Sequence, residues 1–151
     1  MRVGVASDSH DHITKIKEMV QIIKKERVDF LLHGGDFIAP FALNPLDDLI
    51  CDWLGVFGNN DGERTGLEKK SGGKIKTGPY FLELSSKRIA LMHEFKPSDA
   101  DVLIYGHTHN PSIRKDGQLI INPGEVCGWL TGKSSLAILD LSSLEAEIIY
   151  F

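Results

Sequence analysis

The sequence is short of the residues that would place a chain at a glance. Only two of its 151 residues are cysteine, Cys51 and Cys127, far apart and in no Cys-x-x-Cys pattern. That excludes a disulfide scaffold and a thiolate zinc site. Positive charge is also scarce: 17 Lys and Arg stand against 21 Asp and Glu, a net charge of −4. No overall basic field exists to hold nucleic acid or anionic lipid. Lys69, Lys70, Lys74 and Lys76 do gather around Gly72-Gly73, and this cluster reads as a solvated, mobile loop. No apolar run approaches membrane-span length. The opening MRVGVASDSH turns polar too early for a signal peptide, so the expected location is cytoplasmic. What remains is an ordinary globular composition, 42% apolar and 25% charged, at a length that suits one domain over residues 1–151.

Hydrophobic periodicity supplies the elements. Val3 to Ala6 is a short β-branched run and reads as a buried strand. Ile13, Ile16, Met19, Val20 and Ile23 recur at helical spacing with lysines between them, which predicts an amphipathic helix. Val28 to Leu32 is a second strand, so a right-handed parallel β–α–β unit is expected. A short helix over Leu43 to Ile50 and a strand over Trp53 to Phe57 follow. From Tyr80 onward the pattern is mostly β: YFLELS, RIALMH, DVLIY, and a hairpin turned at Asp116-Gly117, then SLAILDL and EAEIIYF. The expected architecture is α/β, with two packed sheets and helices outside.

Strand after strand ends in the same chemistry. The endings are Asp8-Ser9-His10, Gly35-Asp36, Gly58-Asn59-Asn60-Asp61, His93, and Gly106-His107-Thr108-His109, and they hold four of the six histidines. In open α/β sheets, sites form at the carboxyl ends of strands. Residues i and i+2 of extended chain point the same way, so Asp8 and His10 are expected to face one point, as are His107 and His109. Taken singly, Asp-x-His is a helix cap and Gly-Asp is a turn. Two imidazoles behind a buried strand need partners, however, and neutral imidazole is the commonest metal ligand. Five endings of this kind point to one metal-binding crevice.

In this order, Asp8-x-His10, Gly35-Asp36, Gly58-Asn59-x-Asp61, His93 and Gly106-His107-x-His109 resemble the calcineurin-like metallophosphoesterase superfamily. The short chain and Ile121-Asn122-Pro123-Gly124 resemble its small bacterial and archaeal phosphodiesterase branch, and the retromer subunit of this fold is also similar. The resemblance implies a four-layer sandwich of two mixed β-sheets flanked by helices. It implies two divalent ions, with Mn foremost and Ni, Fe or Zn as alternatives. Asp8, His10, Asp36 and His109 would hold the first ion, and Asp36, Asn59, His93 and His107 the second, with Asp36 bridging. Mixed nitrogen and oxygen ligands without thiolate suit these metals. The implied reaction is hydrolysis of a small phosphodiester by a metal-bridging hydroxide. A homodimer is what the small branch suggests. The resemblance also leaves room for a non-catalytic protein-binding scaffold, as the retromer subunit implies, or for a nuclease, which the acidic balance disfavours.

The chain departs from the family pattern in three places. Asn60 stands where phosphomonoesterases often carry a proton-donating His, and Asn cannot do that job; it is expected at the catalytic site as a substrate contact. Only Glu94 to Ala100 separate two strands where the small branch usually has a helix, which predicts a more open site. Glu125 replaces the usual Ser after Asn-Pro-Gly, and a carboxylate there is expected to point away from phosphate. Asn122 and His12 are candidate substrate contacts, although His12 also fits a helix start. His33 reads as structural or as a support to the ligands.

Overall fold

Strand and helix alternate at the start of the chain, and the computed structural model describes every residue from Met1 to Phe151. The elements are β1 (Arg2–Ala6), α1 (Ile13–Lys25), β2 (Phe30–His33), a 3₁₀ helix (Pro40–Asp48), β3 (Asp52–Val56), α2 (Arg64–Ser71) and β4 (Ile75–Lys76). They continue with β5 (Tyr80–Leu84), β6 (Lys87–Leu91), β7 (Val102–Ile104), β8 (Ser112–Asp116), β9 (Gln118–Asn122), β10 (Ser135–Asp140) and β11 (Glu145–Tyr150). β1 to β4 pair in parallel and β10 and β11 join antiparallel, in the order β11-β10-β1-β2-β3-β4. The second sheet, β5-β6-β7-β9-β8, has a parallel centre and antiparallel edges. Both sheets are mixed, as the sequence implied, and the helices lie on the outer face of the six-stranded sheet.

The two sheets bury their facing sides against each other. Val3, Val5, Leu32 and Val56 from one meet Ile89, Leu91, Val102, Ile104 and Ile121 from the other. Each such side chain contributes about 1.5–3 kcal/mol when taken out of water. On the outer side of the six-stranded sheet, Ile16, Met19, Val20 and Ile23 of α1 pack with Leu31, Leu136 and Ile138. The outer side of the five-stranded sheet carries only a small cluster around Ala90, Met92 and Leu103. The segment from Glu94 to Ala100 forms no helix over it, in line with its short length. No helix of the chain is long and apolar enough to cross a membrane.

The short helix expected over Leu43 to Ile50 is present as a 3₁₀ helix with earlier bounds, Pro40–Asp48: Pro40 opens it and Pro45 lies inside it, and a residue without an N–H cannot extend an α-helical ladder. One expectation is corrected. The lysine-rich loop is largely the short helix α2. Leu67 anchors it in the core, fully buried. Gly72, at φ 63°, is its left-handed cap, with Gly73 N–H donating back to Glu68 O at 2.9 Å. The glycines that read as loop are therefore the end of a helix. Lys70 pairs with Asp47 at 2.9 Å, and Lys74 pairs with Asp52.

Candidate metal centre

β1, β2, β3, β6 and β7 all release the chain at one rim. There they deliver Asp8 and His10, Asp36, Asn59 and Asn60, His93, and His107 and His109. The seven expected ligands come together in two interlocking groups. Asp8 Oδ1 lies 3.3 Å from His109 Nε2, and the His10 ring centre lies 5.5 Å from that of His109. In the other group, His93 Nε2 and His107 Nδ1 stand 2.8 and 2.9 Å from Asn59 Oδ1. Asp36 Oδ2 sits between the groups, 3.9 Å from His10 Nε2 and 3.5 Å from His93 Nε2.

The backbone route to this convergence differs from the expected strand alternation. Asp8, His10, Asp36, His107 and His109 all have left-handed backbones, with φ of 51°, 47°, 60°, 65° and 59°. That conformation costs about 1–2 kcal/mol per residue outside glycine. It persists where surrounding contacts over-determine it, and such outliers cluster at functional sites. Here Asp8 N–H donates to Gly35 O at 3.0 Å and His10 N–H to Asp36 O at 2.8 Å. The buried Asp61 carboxylate accepts from the N–H groups of Gly58, Phe37 and Ile38 at 2.7 Å each, and from Asp36 N–H at 3.1 Å. Asp61 stands in the sequence motif without an assigned role; the structure makes it the clamp that fixes Asp36. Gly58 and Gly106 are glycine because neighbouring polar groups come so close. A Cβ on Gly58 would collide with Asp36, and one on Gly106 with Ser7 Oγ and then with Asp8 Oδ2.

The polar atoms fit a cation. Asp8 Oδ1 and His10 Nε2 are buried without a hydrogen-bond partner, a condition that costs about 1–3 kcal/mol per group. Burial raises the Asp8 carboxyl above its ordinary range. His109 Nδ1 is 2.7 Å from Glu125 Oε2, and His93 Nδ1 is 2.8 Å from Gly34 O. A carboxylate and a carbonyl only accept, so each Nδ1 carries the proton and each Nε2 faces the centre, the usual arrangement of metal-ligating imidazoles. Asp8, Asp36 and His93 offer ligand atoms within 4.8 Å of one another, and so do His10, His109 and Cys127. Cys127 takes a different part: its thiol donates to Glu125 Oε2 at 3.0 Å, and burial pushes it up to about 12.

Glu125 is the residue that sequence reasoning placed without understanding. It does not face a phosphate pocket; it is fully buried beneath His109. Burial alone would raise its carboxyl. Hydrogen bonds from Cys127, His109 and Thr131 outweigh that and hold it at about 2. It also accepts the backbone N–H groups of Trp129, Leu130 and Thr131 at 3.1, 3.0 and 2.6 Å. Nothing in the local sequence signals this role, since every non-proline residue carries a backbone donor.

The remaining candidates have definite places. Asn60 donates its backbone N–H to Asp36 Oδ1 at 2.9 Å and its amide to Asp36 Oδ2 at 2.8 Å. His12 is half-buried and caps α1, with Nδ1 accepting from Lys15 N–H at 3.4 Å. The expectation for Asn122 as a substrate contact is corrected: its side chain is fully buried and donates to Gly106 O and Thr108 Oγ1, both at 2.9 Å. It braces the loop that carries His107 and His109. His33 is structural, buried against Phe37 and Ser9, and burial drives its imidazole down to about 3. Beside Asn59 and His93 opens a cavity of about 280 Å³, lined also by Arg64, Lys96, Thr77 and Glu94.

Comparison with known proteins shows the family and the fold. A phosphodiesterase of Methanocaldococcus jannaschii is 33% identical over 159 residues, which covers 96% of both chains. The solved structure of an archaeal phosphodiesterase superposes with a TM-score of 0.91 at 32% identity, covering all of both chains. A phosphoesterase from E. coli (TM-score 0.79, 19% identity, 99% of this chain and 98% of that one) shares the fold. So does Vps29 from Entamoeba histolytica (0.73, 19%, 100% and 99%). The description of the calcineurin-like phosphoesterase superfamily domain matches residues 1–144. With a matching family description over most of its length and a relative one-third identical throughout, the chain belongs to the calcineurin-like phosphoesterase superfamily.

Proposed function

We propose that the chain is a metal-dependent phosphodiesterase that hydrolyses a small phosphodiester at a centre of two divalent ions, Mn foremost. Asp8, His10, Asp36 and His109 would hold one ion, and Asp36, Asn59, His93 and His107 the other. The observation that carries this reading is the meeting of those side chains around Asp36 Oδ2, with Asp8 Oδ1 and His10 Nε2 buried and unpartnered. When bound, such ions acidify water near neutral pH and draw charge from the phosphoryl oxygens.

The chain's own residues do the rest. Glu125 and Gly34 O keep the protons of His109 and His93 on Nδ1, which frees each Nε2 as a ligand. Asn60 orients Asp36 through two hydrogen bonds. Arg64 and Lys96 line the adjoining cavity and supply local positive charge in an acidic protein. Asn60 has no proton to give a leaving alkoxide, a contribution typically worth about 10²–10⁴-fold. Diesters with good leaving groups need that help least, so they are the preferred class. Left-handed backbone at five ligands is a cost that a pure scaffold has no use for.

The experiment is metal analysis of Mn-reconstituted protein together with hydrolysis of bis(4-nitrophenyl) phosphate, 4-nitrophenyl phosphate and glycerol phosphate. Two ions per chain are expected, with turnover fastest on the diester and slowest on the alkyl monoester. Two bound ions with no turnover of any diester would favour the scaffold. A preference for the alkyl monoester would show that another group supplies the proton.

A further inference from the structure

Trp129 is 55% exposed and Leu130 beside it 74%. A lone exposed apolar side chain needs no explanation, but this one stands at the lip of the metal centre. The indole centre lies 5.4 Å from the His10 ring and 5.7 Å from the His12 ring, both tilted against it. Only one imidazole, that of His10, therefore separates it from the Asp8–His109 contact.

The exposure does not come from a loose loop. The N–H groups of Trp129, Leu130 and Thr131 are all spent on the buried Glu125 carboxylate, which also holds His109. One carboxylate thus fixes both a ligand and the backbone that displays the indole. A rigid aromatic face gives a large contact area at low entropic cost, and every nucleobase or aryl ring has a π-face to stack on it.

We propose that Trp129 is a stacking platform for a flat aromatic group, a nucleobase or an aryl ring, esterified to the phosphate bound at the centre. This rests on the phosphodiesterase reading and narrows its substrate to aromatic or nucleotide diesters. His12, tilted against the same indole, steadies the platform from the start of α1.

The test uses Mn-loaded protein and three ligands: inorganic phosphate, ribose 5-phosphate and adenosine 5′-monophosphate. Binding is read by calorimetry and by indole fluorescence, since the only other tryptophan, Trp53, is 8% exposed. The nucleotide is expected to bind about 5- to 150-fold tighter than the sugar phosphate and to quench the emission. Trp129→Ala brings that ratio close to one, and Trp129→Phe, which keeps a ring, restores part of it. Equal binding of the two ligands by the unaltered protein overturns the platform, as does a preference that survives Trp129→Ala. A blue shift of the emission with rising protein concentration, without ligand, assigns the indole to contact between copies and overturns it too. Failure of inorganic phosphate to bind removes the underlying reading, and the platform with it.

Discussion

In the Asp8–His10–His109 half of the centre, polar atoms are buried and short of partners; in the Asn59–His93–His107 half, two of the three side chains are open to solvent. Asp8 is fully buried and His109 nearly so, and Asp8 Oδ1 and His10 Nε2 have no hydrogen bond. Asn59 and His107 are exposed, and the Asn59 amide joins the two imidazoles of its half. The first half is held by Glu125 and gains most from a cation. In the second half Asn59 and His107 are exposed, so water already compensates their polar atoms and an ion gains less there. On the proposed assignment, one ligand list would hide two affinities, a tight ion at the buried half and a loose one at the open half.

The largest effect should come from abolishing the comparison. Asp36 Oδ2 faces His10 of one half and His93 of the other. Asp36→Ala should remove both ions by metal analysis and reduce diester hydrolysis to the background rate. Retention of either ion at normal affinity would show that the halves are independent.

A smaller effect should sharpen it. Glu125→Gln replaces the carboxylate under His109 with a neutral amide. Supporting groups of this kind are worth about 10–100-fold in metal affinity. The loss should fall on the tight ion alone, read by calorimetry, while the loose ion binds as before. Equal weakening of both would mean that Glu125 acts on the whole fold.

The smallest effect should leave the comparison untouched. His33 lies beneath the centre with its imidazole held at about 3, first by burial and then by the neighbouring His93 and His10. In the unfolded chain it takes a proton near its ordinary 6.5. Its contribution to stability is therefore intact above that pH and lost as pH falls from there toward 3, with a slope of at most about 1.4 kcal/mol per pH unit. Urea midpoints of metal-free protein should drop over this window, and those of His33→Gln should drop less.

Much of this was legible in the sequence. The two-sheet architecture follows from apolar runs whose β-branched residues do become the core, such as Val3, Val5 and Ile121. The convergence of the candidate ligands was legible because each follows a strand that must end at one rim. The left-handed backbone of Asp8 or His107 was not, because it is imposed by contacts such as Asp8 N–H to Gly35 O, 27 residues away. Glu125 was expected to point away from phosphate and does, but its role was hidden for the same reason: its partners are His109 and three backbone N–H groups that only the folded loop brings round. Asn122, read from its motif, turned out to brace a loop. The helix α2 was hidden because its cap, Gly72, is also the strongest loop signal in that stretch.

The central claim is the inequality of the two halves, and its most direct test is a calorimetric titration of metal-free protein with Mn²⁺, alongside His109→Ala and His107→Ala. The account predicts two successive binding events, the tighter lost in His109→Ala and only the weaker lost in His107→Ala. A single event shared equally by two ions, or loss of the tight event in His107→Ala with its survival in His109→Ala, would contradict it.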